Sequence, residues 1–145
     1  TQGVSSAASD VYKRQMFDRF YPGLVQRYVP SPDGSDVRVA VIGGHAVAAM
    51  KRTGVAGDFR ANIALGGTGT RYELDDTVRR VAEDAARAVG TDVAGVDVLG
   101  ADTDSPMVCE VNSCPQFLGL ETACGIDFPA AVLDHIERAL VWTAR

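Results

Sequence analysis

From Asp92 to Gln116, DVAGVDVLGADTDSPMVCEVNSCPQ, two alternating runs flank a polar turn, and the pattern predicts a β-hairpin. Alternation places Gly95, Asp97 and Leu99 on one face of the first strand and Ala94, Val96 and Val98 on the other. In the second strand Val108, Glu110 and Asn112 share a face, opposite Met107, Cys109 and Val111. Folding symmetrically about Asp102-Thr103-Asp104-Ser105 sets Asp97 across from Glu110 and Gly95 across from Asn112. Three oxygen-bearing side chains then converge on one patch.

Upstream, Leu24 to Val29 is a short strand-like run closed by the turn cluster Pro30-Ser31-Pro32-Asp33-Gly34. Val37 to Ile42 reads as a strand, Gly43-Gly44 as a hairpin turn, and Ala46 to Met50 as the antiparallel return. Asp36 and Arg38 share one face of it, either a ligand face or the wet side of a half-buried sheet. Lys51 to Arg71 is glycine-rich without a period and reads as a loop. It lacks GxxxxGK[ST], so it is not a P-loop.

A helix is expected from an N-cap at Asp75 or Asp76 to about Val89, with Val78, Val81, Ala82, Ala85, Ala88 and Val89 as its apolar stripe and Gly90 as its stop. Glu83 and Arg87 stand four apart on its polar side. A loop from Ser113 to Gly125 precedes a last helix, Phe128 to Trp142, that packs through Ala131, Val132, Ile136, Ala139 and Leu140. His135 on that helix reads as a surface or interface residue. This order of elements predicts an α+β fold, an antiparallel sheet packed with helices.

The chain has 145 residues, enough for one domain with a real core. Its formal net charge of -5 argues against general nucleic-acid binding. Three cysteines, Cys109, Cys114 and Cys124, form no even disulfide set, so a reducing cytoplasm is the simpler compartment. No apolar run approaches the roughly 20 residues that cross a bilayer. Residues 1–15, TQGVSSAASDVYKRQ, match nothing that follows and read as a non-native leader, the translation of a sequencing adaptor, the alternative being a genuine disordered leader. On the first reading 16–145 is one part of a protein that extends upstream of Met16.

Carboxylates facing each other across a strand ladder need compensation. A hard divalent cation supplies it, and an Asp/Glu/Asn set suits magnesium better than zinc or copper. The alternative is an exposed hairpin face with solvated charges.

Together these motifs resemble the C-terminal part of an ATP-grasp ligase, most closely the RimK-like group of α-L-glutamate ligases. The carriers are LVQRYV, the Asp36-Val37-Arg38 step, GDFRAN at Gly57 to Asn62, AGVDVL at Ala94 to Leu99, and EVNSCPQFLGLE followed by GID. The resemblance covers essentially Leu24 to Ala139. It implies a C-terminal ATP-grasp subdomain, an incomplete fold whose upstream half would supply phosphate-binding lysines and much of the acceptor site.

It further implies that Asp97, Glu110 and Asn112 bind two magnesium ions, with manganese as the substitute, and that Glu110 bridges them. Arg27 and Tyr28 match a hinge whose backbone meets adenine, and Asp36 matches an acid near the ribose. The family often has Glu where this chain has Arg27, so a side-chain acceptor for the adenine amine is lost. Arg60, Ala61 and Asn62 match a phosphate-side segment, with Arg60 as the catalytic cation that offsets charge on the transferred phosphoryl group.

The implied reaction uses ATP to activate a carboxylate as an acyl phosphate, which an amine then attacks. The implied partners are ATP, an amino-acid donor such as glutamate, and a protein or small-molecule carboxylate acceptor. A homo-oligomer is compatible with the resemblance. From this chain alone, weak or absent catalysis is expected. The rival reading is a non-catalytic nucleotide- or metal-binding module. Cys109, placed on the apolar face, and Cys114, with no nearby His in sequence, are poor nucleophile candidates.

Overall fold

The computed structural model describes residues 27–31, 34–54 and 67–143, with the side chains of 141–143 left aside. Five strands form one antiparallel sheet: β1 (Ser35–Ile42), β2 (His45–Thr53), β3 (Thr68–Arg71), β4 (Val93–Leu99) and β5 (Met107–Asn112). Their spatial order is β3-β2-β1-β4-β5, every neighbouring pair antiparallel. The helices described are α1 (Asp76–Ala88), α2 (Leu118–Cys124) and α3 (Phe128–Thr143).

Alternation sends the two sides of β1 into different cores. Val37, Val39 and Val41, with Ala49 of β2 and Ala94, Val96 and Val98 of β4, pack under Val78, Ala82 and Ala86 of α1. Ala40 and Ile42 of β1, with Met50 of β2, pack instead against Leu120 and Cys124 of α2 and Phe128 of α3. Helices therefore pack on both faces, and the expected α+β class, an antiparallel sheet packed with helices, is what the structure shows.

The predicted N-cap of α1 is Asp75, whose carboxylate accepts hydrogen bonds from the Thr77 and Val78 amides at 2.8 and 2.9 Å. Gly90, at φ +69°, stops the helix in the left-handed conformation that glycine adopts without strain. The apolar stripe is rotated from the expected one: Val78, Ala82 and Ala86 are buried while Val89 is exposed. The buried alanines let the helix axis come close to a sheet already filled with valines. Arg87 pairs with Asp84 rather than Glu83, because Glu83 turns inward to accept from the Ala46 amide at 2.9 Å.

Several expectations are corrected. The described end of the Leu24–Val29 run, Arg27–Val29, is not a strand. The stretch read as a loop from Lys51 begins inside β2, which runs to Thr53, and ends in β3. β3, TGTR, has too little apolar character to be legible, and it is held by pairing with Met50–Thr53 of β2. The Ser113–Gly125 segment contains α2, a helix without a side-chain N-cap that rests on burial of Leu120 and Cys124. On α3 only Ala131 and Val132 of the expected set pack on the core, while Ile136 and Leu140 are exposed. His135 seats against the β1–β2 turn: a Cβ added at Gly43 would come within 2.5 Å of its Nδ1. The 1–15 leader lies outside the described residues. Among those described, no helix is long and apolar enough to cross a membrane.

Met50 is 2% exposed and bridges β2 to α2 and α3, whereas Leu133 on α3 is 60% exposed. Met50→Ala is expected to lower unfolding free energy by about 2–5 kcal/mol. Leu133→Ala should cost under about 0.5 kcal/mol. Urea unfolding of the two variants checks the contrast.

Candidate active site on the acid-lined sheet face

α2 and α3 cover only one end of their side of the sheet. The other end carries Asp36 and Arg38 of β1, Arg52 of β2, Asp97 of β4, and Glu110 and Asn112 of β5. Strand register sets these residues against one another: Asp36 pairs with Arg52, Arg38 with Asp97, Asp97 with Glu110, and Gly95 with Asn112. The last two pairings are those the hairpin symmetry predicts.

Beyond Asp97 the symmetry breaks. A bulge pairs Val98 with Val108 rather than Cys109. Cys109 is thereby displaced from the expected apolar face and is exposed. Its thiol is pushed up by partial burial and then by the fields of Asp97, Asp36 and Glu110, which disfavour the nucleophilic thiolate.

Four of the side chains form a buried ion-pair quartet. Arg38 grips Asp97 bidentately, Nε to Oδ1 at 2.7 Å and Nη2 to Oδ2 at 2.8 Å. Arg52 grips Asp36 through Nε at 2.7 Å and through Nη2, and the same Nη2 also donates to Asp97 Oδ2 at 2.8 Å. Asp97 is 5% exposed and Arg52 8%. Such charges persist inside a protein only when paired and hydrogen-bonded, and no buried side-chain polar atom among the described residues lacks a partner. Burial, outweighing the hydrogen bonds and charge of Arg52, raises the pKa of Asp36, and Asp97 adds to the rise. For Arg52 burial opposes the charge, yet Asp36 and Asp97 together lift its pKa above the ordinary arginine value.

Glu110 is exposed, and Asn112 is half-buried with Oδ1 accepting from the Cys114 amide at 3.0 Å. Gly95 keeps the floor low between them, since a Cβ there would stand 2.8 Å from Cβ of Pro115. Among the described residues no three His, Cys, Asp or Glu side chains converge as metal ligands. The face instead offers two carboxylates and an amide, all oxygen donors, which fit a hard cation such as magnesium.

Of the expected site residues, Asp36, Asp97, Glu110 and Asn112 therefore share one face. Arg27 and Tyr28 lie on an exposed irregular segment before β1, and the quartet is built without them. Arg60, Ala61 and Asn62 fall outside the described residues. Sequence reasoning missed Arg52, which it assigned to a loop; continuing the alternation from Met50 would have put it on the acidic face. Lys51 points the other way and pairs with Asp102 at 3.0 Å.

An antiparallel sheet packed with helices, with an acid-lined end, agrees with the fold of ATP-grasp ligases. The RimK-like ATP-grasp domain matches residues 3–136, and the chain belongs to that family. It is 42% identical over 115 residues to a Marinomonas sp. (strain MWYL1) protein named "Probable alpha-L-glutamate ligase", covering 79% of this chain and 38% of that one. To a protein of the same name from Parasynechococcus marenigrum (strain WH8102) it is 43% identical over 119 residues, covering 82% of this chain and 25% of the relative. The chain thus spans well under half the length of both.

Among solved structures it is similar to the ATP-grasp ligase PsnB complexed with a phosphomimetic variant of minimal precursor, Mg and ADP. That likeness has TM-score 0.56 and 28% identity, over 72% of this chain and 32% of the other. It also shares its fold with D-alanine–D-alanine ligase from Bacillus anthracis complexed with ATP, at TM-score 0.65 and 19% identity over 94% of this chain and 47% of that one.

Removing Arg52 leaves Asp36 without its bidentate partner in a buried setting, so Arg52→Met is expected to cost about 3–5 kcal/mol in urea unfolding. A second outcome concerns pH. A carboxyl whose folded pKa lies above its unfolded value binds protons more tightly when folded, so its contribution to stability falls as pH rises from the unfolded to the folded pKa. The stability difference between the wild type and Asp36→Asn should accordingly shrink as pH rises from 3.8 through that window, measured by urea unfolding over a pH series.

Proposed function

We propose that this chain forms the cation-binding floor of an ATP- and magnesium-dependent ligase that joins an amine to a carboxylate, glutamate being the donor and a protein or small molecule the acceptor. The observation that carries the reading is the register: Asp97 opposite Glu110 and Gly95 opposite Asn112 on the acid-lined end of the sheet that α2 and α3 do not cover. Support for the chemistry comes from the glutamate-ligase names of the relatives and from Mg and ADP in the PsnB complex.

In this reading Asp97, Glu110 and Asn112 would hold the cations, manganese being able to substitute, and Glu110 would serve both ions. Bound there, magnesium would neutralise phosphate charge in the transition state. Asp36 stands on the ribose side, and the backbone of Arg27 and Tyr28 on the adenine side. Arg60, Ala61 and Asn62 serve the transferred phosphoryl group, Arg60 offsetting its charge.

The first step breaks the bond between the γ-phosphorus and the β–γ bridging oxygen of ATP and forms a bond to a carboxylate oxygen, releasing ADP. In the second, a neutral amine attacks the acyl carbon, loses a proton and expels phosphate. No protein nucleophile is required, and the rate comes from positioning and charge neutralisation. The raised thiol of Cys109 agrees with that. The chain's own part is to fix the carboxylates: Arg38 and Arg52 lock Asp97, while the β4–β5 ladder sets Glu110 beside it.

In a full-length relative, alanine at the residue aligned with Glu110 should reduce ATP-dependent ligation by at least about 10²-fold with the circular dichroism spectrum unchanged. Undiminished turnover would remove Glu110 from the mechanism. For this chain alone the expected ligation rate is at or near zero, and appreciable amide formation from ATP, magnesium and glutamate would contradict the reading.

A further inference from the structure

Asp97 carries two duties that compete for the same lone pairs. A carboxylate offers about four acceptor directions. Oδ1 of Asp97 accepts from Arg38 Nε, and Oδ2 accepts from both Arg38 Nη2 and Arg52 Nη2. One direction remains, on Oδ1, and across the ladder from Asp97 stands the exposed Glu110.

We propose that Arg38 is the resident counter-ion of Asp97 and a competitor of the divalent cation: it limits Asp97 to one metal contact, through Oδ1, and sets the metal affinity of the face. The inference rests on the metal reading above and goes beyond it, by giving a named cation of the chain the role of tuning that site.

The two arginines differ in this respect. Arg52 is anchored by two bonds to Asp36 besides its one to Asp97, so it belongs to the scaffold. Among the described residues Arg38 hydrogen-bonds Asp97 alone, with its side chain 13% exposed. A fixed positive charge in a poorly hydrated setting, on the carboxylate a cation must reach, opposes that cation strongly. The same guanidinium keeps Asp97 neutralised and oriented while no cation is bound, which a lone buried carboxylate would not tolerate. Arg38 is thus a positioning residue. A planar bidentate fork suits it better than a lysine, whose single ammonium holds neither oxygen in a fixed direction.

The test uses Mn2+ as probe, its free concentration counted by electron paramagnetic resonance in the presence of the whole chain. Arg38→Gln is expected to bind Mn2+ at least about tenfold more tightly than the wild type, because a competing charge is gone. Arg38→Lys should fall between the two. Equal or weaker binding by Arg38→Gln would overturn the proposal.

A second measurement needs no variant. The Arg38 Nε–H resonance of the wild type, followed by 15N NMR during Mg2+ titration, should shift or lose its exchange protection as Asp97 is shared; an unchanged resonance at saturating Mg2+ would overturn the proposal even if Arg38→Gln failed to fold. Glu110→Gln separates the two readings. Binding of Mn2+ that ignores Glu110 would remove the metal reading and this inference with it. Binding that needs Glu110 but weakens in Arg38→Gln would overturn the inference alone.

Discussion

A carboxylate on an inner strand, paired on both edges and 5% exposed, has to be neutralised where it sits. Asp97 on β4 is that group, and the arrangement around it follows from the requirement. Arg38 comes from the neighbouring strand at the directly paired position, Arg52 from one strand further, and Asp36 supplies the charge that keeps Arg52 in place. Charges of alternating sign laid across three strands cost less than any of them alone, because each removes another's desolvation penalty. The quartet also holds both oxygens of Asp97 in fixed directions through residues of β1 and β2.

The rest of the sheet explains why this cluster lies beyond the reach of α2 and α3. On one side the valines of β1 and β4 meet the small face of α1, where alanines allow close packing. On the other side Ala40, Ile42 and Met50 are apolar and accept α2 and α3, whereas Asp36, Arg38, Arg52 and Asp97 continue the same face in polar form. The apolar-to-polar change along one face of β1 and β2 decides where the helices stop. Gly95 and Pro115 mark the boundary, the loop after β5 folding down where glycine leaves room.

The bulge after Asp97 has its own consequence. It shifts the outer part of β5 by one residue, so Cys109 becomes an exposed edge residue within the field of three carboxylates while Glu110 and Asn112 keep their pairing. A thiol so placed is disfavoured as the thiolate by burial and by the neighbouring carboxylates.

Read by itself, the sequence determined the elements whose period is strong. These are the β4–β5 hairpin with its facing acids, the β1–β2 hairpin about Gly43-Gly44, and α1 with its Asp75 cap and Gly90 stop, since alternation, caps and turn glycines are local signals. The family resemblance was equally legible, because it rests on residue identities at fixed spacing. Tertiary structure alone decided the rest. β3 and α2 have little propensity of their own and exist through pairing and burial. Glu83 left the predicted helix-surface pair for a strand amide, and the α1 stripe turned to bring alanines under valines. Above all, the partners of Asp97 come from strands 59 and 45 residues away in sequence, and which arginine meets which acid is a matter of strand order and register, which no local pattern encodes.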